Sequence, residues 1–352
     1  MEVYYGVDFH PHQQTICWLD DGTGELKTRT IFHKNREELA GFYREMPKGT
    51  VGIEATGKAD WFEELMFENG HRLLVGNSGL IRKRAESRHK SDTRDAENIL
   101  TLLMRQEFPA LWRRSRESVA ILEMIRLRSG LVRQRTQVYN RLQALAHDFG
   151  LPKGRMGTQA YRETLEAVPA DPRKALRREI LLRTAEQLSG NIHEIERRLE
   201  EEGGTDPRVA LLRTQAGVGI LTALCLIHTL GEVARFSSSR QVVAFAGLCP
   251  LEKSSGARVS FGGISRAGSP LLRYMLGQAA NAAARRDERL RAFYRRLARK
   301  KTRRVAKTAV TRKLLVKLSV MLRENITARE FDMRGSTAGD TRGETRSEMT
   351  VA

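Results

Sequence analysis

The chain has 352 residues, and 61 Lys and Arg residues against 42 Asp and Glu residues give it a net charge of +19. No stretch approaches the roughly 20 apolar residues that a membrane-spanning helix needs. The amino terminus has the pattern of a strand and not that of a secretory signal. The three cysteines are too widely spaced for a disulfide framework or a zinc motif. We therefore expect a cytoplasmic protein without membrane contact, and because residues 1–107 carry a net charge of −3 and the remainder +22, we expect the basic part to meet a polyanion.

The first hundred residues predict a mixed α/β domain. Three strand-like segments, Val3–Val7, Thr15–Leu19 and Leu26–His33, are joined by short turns, which is typical of an antiparallel meander. Further elements follow in the order helix (apolar residues 39–46), strand Thr50–Ile53, helix from about Asp60, strand Arg72–Val75, basic loop 82–90, and helix from Ser91 to about Met104. This order, βββαβαβα, is that of an RNase H-like (RuvC-like) α/β fold.

Four acidic residues fall where such a fold would bring them together. Asp8 lies late on the first strand, and Glu54 ends the fourth strand, which would lie beside the first. Asp92 and Asp95 are three residues apart and therefore share a helix face. The sequence predicts that the four carboxylates converge on one point.

Clustered carboxylates repel one another, so folding them together is costly unless cations neutralise them. Mg²⁺ or Mn²⁺ prefers oxygen ligands, and two such ions about 4 Å apart suit phosphodiester displacement. The alternative is that each acid is an ordinary turn or cap residue. The position of all four at element ends favours the metal site.

The middle of the chain predicts two long helices, over residues 115–150 and 174–202. The Gly- and Pro-containing linker predicts that the helices fold back on each other. The second helix has apolar residues at alternating spacings of four and three, which is typical of a coiled-coil seam: Leu181, Ala185, Leu188, Ile192, Ile195 and Leu199. Both an oligomerisation arm and a plain helical spacer fit this pattern. The arginines on the outer faces also permit nucleic-acid contact: Arg126, Arg128, Arg133 and Arg135.

The last third predicts mainly helices. Ala216–Gly219 precedes an apolar helix over Ile220–Leu230, and this turn suits either phosphate binding or close packing. Residues 249–268 read as a loop, and Ser269-Pro270 begins the next helix. Residues 285–317 hold 15 Lys and Arg against two acids, which favours phosphate contact over a solvated helix face. Their densest part consists of Arg295, Arg296, Arg299, Lys300, Lys301, Arg303 and Arg304.

Six short segments carry a resemblance to a known family. They read YYGVDFH, GIEATG, KSDTRDAENI, VAFAGLCP, KSSG and SRAGSPLLRYML, and the likeness spans about residues 3–325. On these segments the chain resembles the DEDD transposases of bacterial insertion sequences, the insertion-sequence one-ten family. The resemblance implies a DNA recombinase, in the bacterial cytoplasm, that is guided by a bridge RNA made by the element itself.

The same resemblance assigns roles to residues. It places the metal-binding tetrad on Asp8, Glu54, Asp92 and Asp95, with Mg²⁺ or Mn²⁺ as the cofactor. It places a catalytic serine in the pair Ser255-Gly256, with Ser254 leaving the register open by one. This serine would attack DNA and form a covalent phosphoserine. Arg258 and Arg266 would stabilise charge there, and the coiled coil would assemble a homodimer or tetramer. One departure is Ala216, where the family usually has proline before the Gly-x-Gly turn.

Four regions follow from these patterns. They are an RNase H-like DEDD catalytic domain (1–107), an α-helical coiled-coil arm (108–205), a mainly α C-terminal transposase domain that holds the serine and the basic helices (206–330), and a disordered tail (331–352). Two alternative functions also fit. A metal-dependent RNase H-like nuclease or junction resolvase would use the acids but not Ser255, and a non-catalytic basic nucleic-acid-binding scaffold would use neither.

Overall fold

A computed structural model describes residues 3–20, 22–56, 59–84, 91–252 and 261–334. The chain forms two compact units, Met1–Arg113 and Arg114–Ala352, and each is described by itself. Three of the predicted site residues, Ser254, Ser255 and Arg258, lie outside the described residues.

The first unit is a five-stranded sheet with helices on both faces. Its strands are β1 Val3–Phe9, β2 Gln13–Leu19, β3 Leu26–Phe32, β4 Gly49–Glu54 and β5 Arg72–Gly76, and its helices are α1 Arg36–Glu45, α2 Asp60–Glu68, α3 Ser78–Arg84 and α4 Asp92–Met104. The strand order is β3-β2-β1-β4-β5, with β1 antiparallel to β2 and parallel to β4. The predicted meander and the predicted neighbourhood of the first and fourth strands are confirmed.

Side-chain alternation divides the sheet into two packed faces. Val7 and Ile53 are fully buried in one apolar cluster with Phe62 of α2 and residues of α1. The intervening strand residues face the other way, where Cys17 forms a separate cluster with Ala96 and other residues of α4. Because successive side chains of a strand point to opposite faces, Asp8 and Glu54 lie on the α4 face.

Two glycines let α4 approach the centre of that face. A Cβ atom on Gly6 would lie 2.1 Å from the Ala96 carbonyl oxygen, and one on Gly52 would lie 2.8 Å from a methyl of Leu103. Ser91 caps the start of α4, because its side chain accepts a hydrogen bond from the Arg94 amide at 3.3 Å. The first turn of α4 is thereby held over the ends of β1 and β4.

Replacing Gly6 with alanine should destabilise the first unit by about 3 kcal/mol, since the obstacle is helix backbone that cannot rotate away. Gly41→Ala on α1 is the matched control, because a Cβ there meets nothing within 4 Å. All three tryptophans, Trp18, Trp61 and Trp112, belong to the first unit, so urea unfolding followed by tryptophan fluorescence reports on it alone. Equal stability of the two variants would contradict the packing described for α4.

The second unit is mainly helical. Its helices are α5 Arg116–Asp148, α6 Gln159–Glu166, α7 Pro172–Gly204, α8 Pro207–Arg213, α9 Ile220–Leu230, α10 Ser239–Phe245, α11 Pro270–Arg286, α12 Glu288–Ala298, α13 Arg303–Glu324 and α14 Ala328–Arg334, with a short 3₁₀ turn Val233–Arg235 and an antiparallel strand pair, β6 Pro250–Glu252 and β7 Phe261–Ile264. Across the described residues, none of the helices has both the length and the apolar character that crossing a bilayer would take.

The long helices α5 and α7 pack against each other as an antiparallel hairpin. Arg128 Nε donates to Glu196 Oε1 at 2.8 Å, and further along Arg135 donates to the Ser189 hydroxyl at 3.3 Å. As the residue number rises on one helix it falls on the other, so the helices run in opposite directions. The prediction that they fold back on each other is confirmed. The division of this unit at residue 205 stays a prediction.

Helix α9 forms the centre of the larger core of the second unit. Nearly all of its residues are buried, among apolar side chains of α5, α8, α11 and α13. Gly217, just before it, has φ +88° and approaches α11 so closely that a Cβ would lie 2.4 Å from the Ala283 amide nitrogen. Close packing therefore accounts for Gly217, whereas a Cβ on Gly219 would meet nothing within 4 Å.

A buried lysine ties three helices of this unit together. Lys317 of α13 is 5% exposed, and its ammonium donates to both carboxylate oxygens of Asp332 at 2.8 and 2.7 Å. Asp287, the N-cap of α12, lies 3.7 Å away. Lys317→Ala would remove the buried ammonium from Asp287 and Asp332, of which Asp332 keeps an ion pair with Arg289 at 3.8 Å. We expect a loss of about 3 kcal/mol of stability, measured by urea unfolding followed by circular dichroism. Arg312→Ala, at an exposed position on the same helix, should change it by less than about 0.5 kcal/mol.

Three segments differ from the prediction. Residues 82–84, predicted as loop, end helix α3, because Ile81 is buried against α4 and anchors the turn. The predicted loop over residues 249–268 contains β6 and β7, whose Gly-Gly pair hides the strand pattern. The boundary placed at residue 331 falls inside α14, which Lys317 holds through Asp332.

Candidate active site

Asp8 is the most enclosed acid of the predicted tetrad. It lies one residue beyond the Val7–Ile53 pair of the β1–β4 ladder and is only 8% exposed. His10 Nε2 lies 3.0 Å from its Oδ2 atom. The carboxylate is therefore held in one orientation at the end of the central strand.

Asp92 and Asp95 occupy the first turn of α4, above the end of β1. One oxygen of Asp92 accepts a hydrogen bond from Gln13 Nε2 at 3.1 Å, and the other lies 3.7 Å from His10 Nε2. Asp8, His10 and Asp92 each offer a possible metal-ligand atom within 4.8 Å of the others. The strand end and the helix start thus bring two of the predicted acids and one histidine into ligand distance.

The electrostatic cost of this arrangement falls on Asp8. Burial raises the pKa of the Asp8 carboxyl above its usual value, His10 opposes the rise, and the carboxylates of Asp95 and Asp92 add to it. The influence of Asp95 shows that its charge acts on the same point. Such a carboxyl gains most from a cation placed beside it.

Glu54 ends β4 on the same face of the sheet as Asp8. Its Oε1 accepts a hydrogen bond from Arg82 of α3 at 3.0 Å, and its side chain is about one third exposed. The structure places Asp8, Asp92 and Asp95 in one electrostatic group, and it places Glu54 on the neighbouring strand end in an ion pair with Arg82.

His10 and Gln13 are two further residues of the site that were not predicted from the sequence. His10 follows Asp8 by two residues, and a spacing of two along an extended chain repeats the same face. Gln13 could not be found in this way, because its contact with Asp92 depends on the β1–β2 register and on the height of α4.

The donors suit a hard divalent cation. Carboxylate oxygens are the ligands that Mg²⁺ and Mn²⁺ prefer, and all four acids of the predicted tetrad supply them. The residues present therefore fit the cofactor that the sequence predicts.

The segment of the predicted serine is flanked by β6 and β7. Where the two strands meet the rest of the unit, the Ser265 amide donates to the Cys249 carbonyl at 2.9 Å. Arg266 follows with φ +56°, an uncommon left-handed conformation for a non-glycine residue, and its side chain is exposed. Its amide donates to the Gly247 carbonyl at 3.1 Å, which fixes the chain beside α10.

The predicted phosphate-contacting residues gather where α12 turns into α13. We call this surface the basic turn; its seven residues are all exposed, and they are Arg295, Arg296, Arg299, Lys300, Lys301, Arg303 and Arg304. Within the described part of the chain, none of the seven takes part in an ion pair. Arg303 and Arg304 also stand at the positive end of α13, where cations are unfavourable without an anion. The basic turn is thus an unneutralised cationic surface.

A mixed sheet with gathered carboxylates, and a helical unit with an exposed basic turn, define an enzyme that acts on nucleic acid. Comparison with known sequences gives the family. Residues 5–149 match the IS110-type DEDD transposase profile, and residues 209–295 match the profile described as the transposase IS116/IS110/IS902 family.

Individual relatives agree. The chain is 30% identical over 287 residues to a "Probable family 20 transposase" of Pseudomonas aeruginosa, covering 80% of each chain. It is 27% identical over 288 residues to the transposase for insertion sequence element IS1111A of Coxiella burnetii, covering 80% of this chain and 77% of the relative. It is 24% identical over 347 residues to a pilin gene-inverting protein of Moraxella bovis, covering 95% and 98%. The chain belongs to the IS110 family of insertion-sequence transposases, and it is a DNA transposase.

Proposed function

We propose that this transposase cuts, exchanges and rejoins DNA strands with a metal site formed by Asp8, Asp92, Asp95 and Glu54. The observation that carries the proposal is the burial of Asp8 beside Asp92 and Asp95, which raises the pKa of its carboxyl. Repulsion among these carboxylates destabilises the fold, and a bound divalent cation would neutralise it.

Bound Mg²⁺ or Mn²⁺ would neutralise the carboxylates and stabilise negative charge on the phosphodiester that reacts. The protein's own residues set the ligand geometry. His10 fixes the orientation of Asp8, and Gln13 fixes that of Asp92. Arg82 holds Glu54 at the neighbouring strand end through an ion pair.

We further propose Ser255 as the nucleophile, on the strength of the family resemblance. Its hydroxyl oxygen would form a bond to phosphorus while the bond from phosphorus to a deoxyribose oxygen breaks, and the hydroxyl proton would leave with that oxygen or to water. The covalent phosphoserine keeps the phosphate in an ester bond, so the reverse step can join it to the end of a different strand. Arg258 and Arg266 would stabilise the charge of the reacting phosphate.

The remaining proposals concern partners. The basic turn would contact nucleic-acid phosphates, and a bridge RNA would choose the DNA sites. The α5–α7 hairpin would form a coiled-coil arm that assembles a homodimer or tetramer. Leu176 and Ile180 of α7 support such an arm, because these apolar side chains are 57% and 44% exposed.

The test is formation of a covalent protein–DNA adduct. The full chain is incubated with Mg²⁺, its co-purifying RNA and labelled DNA that spans the element's ends, and the products are separated under denaturing conditions. We expect an adduct that is absent from both Ser255→Ala and Asp8→Ala, whereas Ser254→Ala, the neighbouring control, should retain it.

Two other outcomes would each indicate a different function for this protein. DNA cleavage without an adduct, unaffected by Ser255→Ala, would replace the proposal with an RNase H-like nuclease or junction resolvase. Binding without cleavage or adduct, in conditions where an active relative forms one, would indicate a nucleic-acid scaffold.

A further inference from the structure

The second unit contains a cavity of about 900 Å³ that none of the proposed roles uses. One wall is the middle of α5, with Arg126, Arg128 and Arg133, and Arg114 lies just before that helix. The opposite wall is the end of α10 and the chain segment 267–271, where α11 begins. Cavities that hold a drug-sized molecule have volumes of roughly 300–1,000 Å³.

The walls are strongly cationic. Arg128 is neutralised by Glu196, but no Asp or Glu among the described residues lines the cavity itself. Burial, and after it the charge of Arg126, lower the pKa of the Arg114 guanidinium. The arginines that line the cavity make its electrostatic potential positive, and a positive potential attracts anions. The start of α11 adds to the positive potential, since it directs the helix dipole at the same space.

The wall formed by α10 and α11 is rigid. A Cβ on Gly268 would lie 2.1 Å from the Phe245 carbonyl oxygen, and one on Gly247 would lie 2.6 Å from the Gly268 amide nitrogen. Arg273 donates to the carbonyls of Ala246 and Gly268 at 3.1 and 2.7 Å and joins the two segments. Close backbone contact therefore fixes one side of the cavity before any ligand arrives, which reduces the ordering cost of binding.

The cavity also offers an aromatic surface. Tyr274 lines it and is 54% exposed, so its ring is accessible to a ligand in the cavity. Phe245 lines it too, with Arg235 stacked 4.6 Å from its ring centroid. An anion site beside an exposed ring matches the chemistry of a nucleotide, whose phosphate requires cations and whose base stacks on aromatic side chains.

We propose that this cavity holds one unpaired nucleotide of a nucleic-acid strand. Arg114, Arg126 and the start of α11 bind its phosphate, and its base stacks on Tyr274. Paired bases stay stacked inside a duplex and cannot reach the ring, so the site selects single strands. The inference deepens the proposed function, because strand exchange exposes unpaired DNA and a guide RNA contains unpaired nucleotides; the two sources share the same chemistry.

Photo-crosslinking locates the bound base. A thymidine 12-mer with one central 5-iododeoxyuridine, the corresponding uridine 12-mer, and a duplex that contains the same DNA strand are each irradiated with the full chain in EDTA. We expect a crosslink to Tyr274 or Phe245 with at least one single strand and none with the duplex. The strand that reacts identifies DNA or RNA as the source.

Affinity measurements separate the contributions of the two walls. Tyr274→Ala should weaken binding of the reacting single strand about tenfold and leave duplex binding unchanged. Arg126→Gln should lower the salt dependence of single-strand binding by about 0.7, one phosphate contact, whereas Arg141→Gln, exposed on the same helix outside the cavity, should not.

Crosslinks confined to other surfaces, or equal effects of Tyr274→Ala on single strands and duplex, would overturn the inference. Because EDTA removes metal chemistry, this result is independent of the adduct assay. A chain that crosslinks at the cavity but forms no adduct refutes only the proposed reaction. A chain that forms the adduct without the crosslink refutes only the cavity.

Discussion

Asp8→Asn and Asp92→Asn are each expected to reduce DNA strand cleavage about a thousandfold in Mg²⁺. Each replacement removes one negative charge and one strong oxygen ligand from the centre of the group that Asp8, Asp92 and Asp95 form. A bound divalent ion contributes several kcal/mol of charge stabilisation in the transition state, and about 4 kcal/mol corresponds to a thousandfold change in rate. Cleavage of labelled element-end DNA in a single turnover measures the effect.

Without metal, Asp8→Asn is expected to be as stable as the unsubstituted protein or more stable, although it loses activity. Asp8 is buried beside like charges, so Asp8→Asn should leave the unfolding temperature of the first unit unchanged or raise it by a few degrees. Mg²⁺ should then stabilise the unsubstituted protein, by about 1.4 kcal/mol at ten times the dissociation constant, and leave Asp8→Asn unaffected. Tryptophan fluorescence isolates this unit, since all three tryptophans lie in it.

A matched control shows that the effect belongs to the site. Glu68→Gln removes one exposed carboxylate at the end of α2, a helix packed on the face of the sheet opposite α4. It should retain cleavage and the Mg²⁺-induced stabilisation. An Asp8→Asn protein that is stabilised by Mg²⁺ as strongly as the unsubstituted chain would show that Asp8 is not a ligand.

The strands of the first unit, and the strand and helix ends that carry its acids, could be predicted because their signals are local. Short apolar runs bounded by turn residues identify β1, β2 and β4, and a serine before an amphipathic segment identifies the start of α4. The contact of Gln13 with Asp92 and the ion pair of Glu54 with Arg82 could not be predicted. Both depend on how close α3 and α4 lie to the sheet, and the spacing of apolar residues in the sequence does not determine that distance.

In the second unit, even more of the tertiary packing could not be predicted from the sequence. The hairpin followed from helix length and the linker, but the buried face of α7 contains Leu182, whereas the predicted seam residue Leu181 is only partly buried. A strict seven-residue pattern cannot describe a helix that also packs on α6 and α9. The cavity at the start of α11 was invisible in the sequence, because its walls come from segments more than 100 residues apart.

Replacing four cations of the basic turn with glutamine is expected to weaken duplex DNA binding on the order of a thousandfold at 0.1 M salt. The variant combines Arg299→Gln, Lys300→Gln, Arg303→Gln and Arg304→Gln. Each cation that binds a phosphate releases counterions, so the slope of log affinity against log salt should fall by about 0.9 for each phosphate that the variant no longer neutralises. Fluorescence anisotropy over a series of salt concentrations measures both quantities.

The control changes the net charge equally at cations that already have partners. Arg183, Arg197, Arg198 and Arg213 are also exposed, but each forms an ion pair with a glutamate. Replacing all four with glutamine should leave the slope of log affinity against log salt nearly unchanged. A cation that is already neutralised by a glutamate releases few counterions when DNA binds. The basic-turn variant should also be no less stable, since Arg303 and Arg304 oppose the dipole of α13. Equal slopes for the two variants would mean that net charge, and not this surface, holds the DNA.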